Sequence, residues 1–299
     1  MKILIIKLGA SGDVIRTTTL LHLFSGDKVD WITSDLNSIL LHGIPNINRI
    51  YKESEVEQTE FSGYDLVINL EDGIEAAKIF MKVPHRQLFG AYLGHDGQMT
   101  YTEDSSGWFD LSLISKHGLQ KANQLKYENQ KSYQELIFRC LGYEFKSETY
   151  FLPESPATNL YGDVAIAPSA GKVWPMKNWA YFDELTFMLR AKGYTVNHLP
   201  TRTTMLEHLS DIRNHSVLIS GDSLPMHFAL GSGINCLTFF TCTSPAEIYH
   251  YGVMTKLISP DLEKYFYKRD FHVEATKSIK LTQALEAFAY VAKKRAAYA

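Results

Sequence analysis

The N-terminal segment constrains the fold most, because a continuous apolar run is followed at once by a glycine-containing turn and a helix. The run from Ile3 to Ile6 is typical of a parallel strand that is covered on both faces. Gly9 and Gly12 are predicted to form the tight turn, and the helix is expected to begin near Asp13. Such a turn presents backbone N–H groups and nearby side chains to a ligand. The segment therefore predicts an α/β fold in which Asp13 faces a cleft.

The two common nucleotide-binding fingerprints do not occur at this turn. The dinucleotide pattern G-x-G-x-x-G needs a third glycine, and the phosphate-loop ending Gly-Lys-Ser/Thr is absent from the chain. Asp30 lies about 20 residues after Gly9, where a ribose-binding acid is found in dinucleotide-binding domains, but nicotinamide binding is not expected without the third glycine. Asp13 has two readings at this point, either a helix cap or first-turn acid, or a catalytic carboxylate.

Composition limits the classes of function. With 299 residues, 45% hydrophobic and 21% charged, the chain is expected to form two domains. A net charge of -3 argues against a strongly basic nucleic-acid surface. The three cysteines include no C-x-x-C pair and the histidines show no metal-ligand spacing, so neither disulfides nor a metal site is predicted. The first apolar run is too short to cross a bilayer, and a cytoplasmic protein is expected.

A strand and helix rhythm runs through the chain twice, which predicts an α/β fold with two Rossmann-like domains. The Pro-, Ser- and Thr-containing stretch 151–161 is interpreted as the boundary, giving domains 1–157 and 158–299. The last helix is expected to pack on either domain, the N-terminal one included. The predicted strands are 3–6, 29–33, 47–51, 66–70, one within 86–96, 163–168, 194–199, 217–220 and 236–240; the predicted helices are 133–140, 181–191 and 281–299; 101–108 is expected to be irregular.

Polar residues follow several predicted strands at the carboxyl end, where open α/β sheets bind ligands. Glu71-Asp-Gly73 follows the fourth strand, and an ordinary turn is the alternative reading. Lys172 and Lys177 lie in the loop after strand 163–168, where lysine and a helix N-terminus can neutralise a phosphate.

A second polar segment follows strand 217–220. Asp222-Ser223 ends this strand, and His227 lies in the early turns of the next helix. Helix capping by Asp222 or Ser223, and a hydrogen-bonded core position for His227, are the structural alternatives.

Three of these segments together resemble glycosyltransferase family 9, the heptosyltransferase family, and the resemblance covers both halves of the chain. The matching residues are Gly9-Ala-Ser-Gly12-Asp13 with Thr17 and Thr18, then Trp174-Pro-Met-Lys177-Asn-Trp179, and then Asp222-Ser223-Leu-Pro-Met-His227. The resemblance implies the GT-B fold, in which two Rossmann-like domains with parallel sheets face each other across a cleft. It also implies that the N-terminal domain binds the acceptor and the C-terminal domain binds a nucleotide sugar.

The resemblance further implies an inverting reaction with Asp13 as the catalytic base and Lys177 as the group that neutralises the diphosphate. Ser223 and the N-terminus of its helix would add hydrogen bonds. The other implied donor-binding residues are Lys172, Asp222 and His227, and the implied acceptor-side loop contains Gly9, Gly12 and Thr17. No cofactor and no divalent metal are implied, because the nucleotide sugar, by default ADP-heptose, is a substrate.

The sequence departs from the family pattern near the implied donor site. Leu224 and Thr241 stand where the family commonly has glycine, and the region after strand 194–199 is shortened. These departures leave open a different donor, or a non-catalytic sugar-nucleotide-binding or assembly protein of the same fold; a sugar epimerase is a further alternative. The implied acceptor is a bacterial surface glycan such as the lipopolysaccharide inner core, reached at the inner membrane face, and Lys82, Arg86 and Lys116 are either its contacts or ordinary surface residues. The sequence does not assign an oligomeric state.

Overall fold

The computed structural model describes residues 1–109 and 117–296, so the predicted acceptor contact Lys116 lies outside the described residues. The chain divides into two compact units, Met1–Glu154 and Ser155–Ala299. The division falls three residues before the boundary expected from the sequence, at the start of the same Pro- and Ser-containing stretch. These two units are the N-terminal unit and the C-terminal unit, respectively.

The N-terminal unit is built on a six-stranded sheet with the order β3-β2-β1-β4-β5-β6. The strands pair in parallel except for β6, which is antiparallel to β5. The chain moves outward from β1 to β3 on one side and from β4 on the other, so the strand order reverses between β1 and β4. The strands are β1 (Lys2–Ile6), β2 (Lys28–Thr33), β3 (Ile47–Lys52), β4 (Tyr64–Asn69), β5 (His85–Leu93) and β6 (Met99–Tyr101).

The apolar run in β1 is explained by burial on both faces of this sheet. Ile3 and Ile5 join one hydrophobic cluster, which also contains Trp31, while Leu4 and Ile6 join the cluster on the opposite face. The side chains of Ile3 to Ile6 are all fully buried. The prediction of a doubly covered central strand is therefore confirmed.

The helical elements of this unit are short, and some of them depart from the predictions. The helix after β1 begins at Ser11, so Gly12 lies inside its first turn and not in the preceding loop. A helix was predicted over 133–140, and the structure has a further helix before it, at Leu119–Glu128. The segment 101–108 contains the end of a strand and helical turns, so the expectation that it is irregular was wrong. The helices are α1 (Ser11–Thr17), α2 (Ile74–Met81), α3 (Ser106–Phe109), α4 (Leu119–Glu128) and α5 (Tyr133–Cys140), with 3-10 turns at Thr18–His22, Leu36–Leu40, Glu53–Gln58 and Glu103–Ser105.

The C-terminal unit is built on a five-stranded parallel sheet with the order β11-β10-β9-β7-β8. Its strand order reverses between β7 and β9. Strand β8 is shorter than the predicted 194–199, and β11 was not predicted because its residues are only partly buried and include Lys256. The strands are β7 (Gly162–Ala167), β8 (Val196–His198), β9 (His215–Gly221), β10 (Asn235–Phe240) and β11 (Met254–Ile258).

The last helix of the chain packs on the core of the C-terminal unit. Ala284, Phe288 and Val291 on one face of this helix belong to the same hydrophobic cluster as Val164 and Phe239. The apolar face of this helix is therefore buried against the core of the C-terminal unit. The helices are α6 (Phe182–Ala191), α7 (Met205–Arg213), α8 (Leu224–Gly231), α9 (Leu262–Tyr265), α10 (Val273–Lys277) and α11 (Leu281–Ala296), with a 3-10 turn at Pro175–Lys177. None of the helices in the described residues has both the length and the apolar character needed to cross a bilayer.

Candidate functional site

Each unit places polar residues at the point where its strand order reverses, which is the usual ligand-binding position of an open α/β sheet. In the N-terminal unit this switch point lies between β1 and β4, and Asp13 is in the first turn of α1 just after β1. In the C-terminal unit it lies between β7 and β9, and Lys177 and Asp222 follow these two strands.

Asp13 is a first-turn acid and not the helix cap. The N-cap position is occupied by Ala10, and the Asp13 carboxylate pairs with cations instead. Its Oδ1 atom lies 2.9 Å from Nη2 of Arg16, and its Oδ2 atom lies 4.0 Å from Nζ of Lys7. The Asp13 side chain is 34% exposed, whereas those of Lys7 and Arg16 are 7% and 11% exposed. A carboxylate with a solvent-accessible edge is therefore held against two largely buried positive charges.

The surroundings of these two cations fix their positions. The guanidinium of Arg16 lies over the ring of Tyr133, 3.9 Å from the ring centroid, as in a cation–π contact. Burial lowers the pKa of Lys7, but the negative charges of Glu71 and Asp13 outweigh that effect and hold it above its ordinary value. Lys7 is therefore charged at neutral pH. The nearby positive charges favour the ionised form of the Asp13 carboxylate.

Glu71, at the carboxyl end of β4, closes the switch point of the N-terminal unit. Its Oε1 atom accepts hydrogen bonds from Nζ of Lys7 at 2.8 Å, from the N–H of Leu8 at 2.7 Å and from the N–H of Gly9 at 3.1 Å. The amide of Asn37 donates to the carbonyl of Leu8 at 2.7 Å from the other side. The turn after β1 is thus held on both sides by side chains. The alternative in which 71–73 are only an ordinary turn does not account for the contact of Glu71 with this segment.

The other residues expected in the acceptor-side loop have structural contacts. Gly9 donates its N–H to Glu71, and Gly12 lies within α1. Thr17 is fully buried: its hydroxyl donates to the carbonyl of Asp13 at 2.6 Å and lies 2.8 Å from the Tyr133 hydroxyl. These contacts orient α1 and its first-turn carboxylate.

In the C-terminal unit, the two motif residues Lys177 and Asp222 form an ion pair. Nζ of Lys177 lies 2.9 Å from Oδ2 of Asp222, and both side chains are mostly buried, with 14% and 13% exposed. The hydroxyl of Thr243 donates to the same carboxylate oxygen at 2.7 Å. Burial alone would raise the pKa of Asp222, but Lys177, His227 and the Thr243 hydrogen bond outweigh it and lower the pKa to about 2. The Asp222 carboxylate is therefore ionised at neutral pH.

Gly221, the last residue of β9, permits the close approach that forms this pair. A Cβ atom at this position would lie 2.6 Å from the carbonyl oxygen of Lys177, closer than non-bonded atoms approach. Only a residue without a side chain lets the Lys177 segment lie directly against the end of β9. The sequence reading did not identify this glycine.

Helix α8 begins beside the ion pair. Ser223 occupies its N-cap position, but among the described residues the Ser223 side chain makes no capping hydrogen bond to the helix. Its hydroxyl lies 3.4 Å from the carbonyl of Gly221. The structural alternative, in which Asp222 or Ser223 caps α8, is therefore correct for the position of Ser223 but without a side-chain capping bond, and Asp222 pairs with Lys177. His227 is buried on α8, with 4% exposure, and is one of the groups that lower the pKa of Asp222.

The remaining residues of the tryptophan-containing motif divide into core and surface positions. Trp179 is buried, donates its indole N–H to the carbonyl of Ile279 at 2.8 Å, and stacks on Phe239 with ring centroids 4.2 Å apart. Lys172 is exposed on the loop before the 3-10 turn and lies outside the Lys177–Asp222 pair. The structure therefore brings together only part of the predicted donor-binding set.

Residues at positions that depart from the family pattern make contacts within the C-terminal unit. Thr241, at the position where glycine was expected, is fully buried and donates to the carbonyl of Met176 at 2.5 Å. In the shortened region after β8, Arg202 makes two hydrogen bonds of 2.6 and 2.7 Å to the buried carboxylate of Asp211. Both contacts give fixed positions to loops at the carboxyl edge of the sheet.

Asp30 is not placed to bind a ribose. Its buried carboxylate accepts hydrogen bonds of 2.7 Å from the Tyr64 hydroxyl and from the Asn48 amide, and Nζ of Lys2 lies 4.0 Å away. Burial and the hydrogen bond to Asp30 raise the pKa of Tyr64 above its ordinary value. Because Lys2 and Tyr64 are the first residues of β1 and β4, this cluster lies at the edge of the sheet opposite to the switch point.

The fold defined by these two units is GT-B, the fold of the glycosyltransferase family 9 heptosyltransferases, as predicted. No family model matches the chain, and a search of curated proteins found no match. Three solved structures show the likeness, at 14% to 16% identity, so it is a likeness of fold.

The first is a family 9 glycosyl transferase from Veillonella parvula, with 14% identity and a TM-score of 0.69, covering 97% of this chain and 96% of that one. The second is the E. coli heptosyltransferase WaaC with ADP, with 14% identity, a TM-score of 0.64, and coverage of 97% and 99%. The third is the E. coli ADP-heptose lipopolysaccharide heptosyltransferase II, with 16% identity, a TM-score of 0.64, and coverage of 99% of both chains.

Proposed function

We propose that this protein is an inverting glycosyltransferase in which the C-terminal unit binds a nucleotide-diphosphate sugar and the N-terminal unit supplies the catalytic base. One observation carries the proposal: the N-terminal switch point presents a partly exposed carboxylate, and the C-terminal switch point presents a lysine beside the N-terminus of helix α8. A carboxylate suits a hydroxyl nucleophile, and a lysine beside a helix N-terminus suits a phosphate.

The proposed donor is ADP-heptose. Two of the similar structures are described as heptosyltransferases, one with bound ADP and one as acting with ADP-heptose, and they support this choice. The ammonium of Lys177, together with the N–H of Leu224 at the start of α8, would take the negative charge of the diphosphate. The proposal requires neither a cofactor nor a divalent metal, because these groups carry out the charge neutralisation.

In the proposed reaction, an acceptor hydroxyl oxygen attacks the anomeric carbon of the heptose. The bond between this carbon and the diphosphate oxygen breaks on the opposite face, and its electron pair leaves with ADP. The hydroxyl proton passes to the Asp13 carboxylate. Attack from the face opposite to the leaving group inverts the configuration at the anomeric carbon.

Arg16 and Lys7 influence how Asp13 would act. A carboxylate paired with two cations is a weak base in the ground state, so it would accept the proton only as the new carbon–oxygen bond forms. The orientation of its exposed edge then matters more than its basicity. The contact of Arg16 with the Tyr133 ring and the hydrogen bond between Thr17 and the Asp13 carbonyl support a fixed orientation.

The proposed acceptor is a hydroxyl of a bacterial surface glycan such as the lipopolysaccharide inner core, reached at the inner face of the membrane. The similarity to a lipopolysaccharide heptosyltransferase supports it. The acceptor contacts considered from the sequence are engaged in surface ion pairs: Lys82 with Glu57, and Arg86 with Asp65 at 3.3 Å. Exposed pairs of this kind are weak and can be replaced by a ligand.

The test is a turnover assay with purified protein, ADP-heptose and truncated lipopolysaccharide, with the anomeric configuration of the product determined by NMR. We expect ADP release and a glycoside of inverted configuration. Retained configuration would contradict the role of Asp13 as a base. Tight ADP-heptose binding without transfer to any tested acceptor would favour the non-catalytic sugar-nucleotide-binding alternative.

A further inference from the structure

The Glu71 carboxylate occupies a site that has the composition of an anion-binding site. A single oxygen atom of Glu71 accepts from one ammonium group and from two successive backbone N–H groups, at 2.8, 2.7 and 3.1 Å. Successive backbone N–H groups with a lysine form the concave sites in which proteins hold phosphate and other anions. In this unit the anion is part of the chain itself, and its side chain is 19% exposed.

We propose that Glu71 is an internal anion that positions Asp13. It holds Lys7 and the turn before α1 in one arrangement, and it fills the position at which the N-terminal unit would otherwise take a free phosphate. Because the reaction of Asp13 is itself a proposal, the catalytic part of this inference rests on the proposed function; the occupation of an anion site does not.

The charges around Lys7 explain how Glu71 would act on Asp13. Nζ of Lys7 lies 2.8 Å from the Glu71 carboxylate but 4.0 Å from that of Asp13, so Glu71 is its main partner. Without the charge of Glu71, the buried ammonium would be drawn toward Asp13 as its remaining nearby carboxylate. Asp13 would then be held more tightly and turned away from its present orientation. The change would affect turnover and leave donor binding in the other unit intact.

Two substitutions separate the charge of Glu71 from its hydrogen bonds. In Glu71→Gln, the amide oxygen can still accept from the N–H groups of Leu8 and Gly9, but the charge is lost. In Glu71→Ala, both are lost and a vacant anion site remains. Glu75→Ala is the matched control, because Glu75 is an exposed acid on α2 whose side chain is 76% exposed and pairs with Lys78.

The first measurement does not depend on enzymatic activity. Thermal unfolding is followed with inorganic phosphate or acetate added to the wild-type protein, Glu71→Ala and Glu75→Ala. We expect Glu71→Ala to unfold at a lower temperature, and phosphate to raise its unfolding temperature more than those of the other two proteins. Any phosphate site in the C-terminal unit is common to all three and cancels in the comparison. An equal response of the three proteins would overturn the anion-site assignment.

The second measurement compares the change in kcat with the change in donor KM for Glu71→Gln. It tests the proposal even if Glu71→Ala does not fold. We expect kcat to fall roughly 10- to 100-fold, as for a misplaced catalytic group, with an unchanged donor KM. A wild-type kcat in Glu71→Gln, or equal changes in kcat and donor KM, would overturn the positioning role. If the wild-type protein shows no transferase activity, the proposed function fails, and the phosphate response still decides whether Glu71 fills an anion site.

Discussion

The two switch points of this protein use similar components in different ways. In each, a lysine that follows one strand pairs with a carboxylate that follows the neighbouring strand. The distance from the lysine Nζ to the carboxylate oxygen is 2.8 Å for Lys7 and Glu71 and 2.9 Å for Lys177 and Asp222. In the N-terminal unit the carboxylate also accepts from two backbone N–H groups of the turn, whereas in the C-terminal unit it accepts from the Thr243 hydroxyl.

This difference indicates how one architecture can support two chemical tasks. A switch point whose N–H groups are already bound to a carboxylate is poorly suited to a diphosphate, but it can present Asp13 to a neutral hydroxyl. A switch point with a helix N-terminus and a lysine attracts anions. The difference therefore supports the proposed function, in which the acceptor binds to the N-terminal unit and the donor to the C-terminal unit.

The largest expected effect is that of Asp13→Asn. Asparagine has the same shape but cannot accept the acceptor proton as a carboxylate does, so we expect kcat to fall by about 10²- to 10⁴-fold. Steady-state kinetics with ADP-heptose and acceptor measure it, with Glu75→Gln as the control for a surface acid. An unchanged kcat would remove Asp13 from the reaction and with it the main distinction between the two switch points.

Lys177→Met tests the other switch point. The substitution removes the positive charge proposed to face the diphosphate, and we expect transition-state stabilisation to fall by about 2 to 4 kcal/mol, measured as kcat/KM for the donor. Lys172→Met is the matched control on the same loop and is expected to have a smaller effect because Lys172 is exposed. Equal effects of the two substitutions would show that the Lys177–Asp222 pair is not the site of the diphosphate.

Gly221→Ala tests whether the close approach of the Lys177 segment to β9 is needed. The new Cβ atom would lie 2.6 Å from the carbonyl of Lys177, so this backbone has to move. We expect the free energy of unfolding to fall by about 1 to 3 kcal/mol, as in other overpacked sites. In the control Gly171→Ala no atom lies within 4 Å of the new Cβ. Chemical denaturation of the two variants compares them, and similar stabilities would contradict the fit.

The smallest expected effect is a loss of stability in acid. The folded pKa of Asp222, about 2, lies below its ordinary value of 3.8, so its ionisation stabilises the native state above that ordinary value. This contribution should disappear as the pH falls from about 4 toward about 2, and we expect roughly 2 kcal/mol. The measurement is the difference in unfolding free energy between wild type and Asp222→Asn across this range. A difference that does not change with pH would contradict the charged pair.

The sequence predicted the parts of the fold that depend on local patterns. Ile3 to Ile6 form a continuous apolar run because both faces of β1 are covered, and that pattern is visible without coordinates. Strand β11 escaped prediction because it is an edge strand with partial burial and a central lysine, Lys256. Long-range pairing in the sheet, and not the local sequence, makes it a strand.

The candidate site was predictable only where a motif carries it. Asp13, Lys177 and Asp222 were found through three motifs, but Lys7, Arg16 and Glu71 were not assigned a role. Glu71 meets the turn after β1 because parallel strands β1 and β4 are neighbours in the sheet. That neighbourhood joins residues 64 positions apart in the chain. The only sequence signal for a role of Glu71 was its position as a polar residue at the end of a buried strand. The same signal is compatible with a simple turn.

The most direct test of the division between the two units is calorimetric titration of ADP into the wild-type protein, Asp13→Asn and Lys177→Met. If the donor is bound by the C-terminal unit and Asp13 acts only in the chemical step, Asp13→Asn will bind ADP as the wild-type protein does. Lys177→Met will bind it more weakly. Weakened binding in Asp13→Asn together with unchanged binding in Lys177→Met would contradict the account.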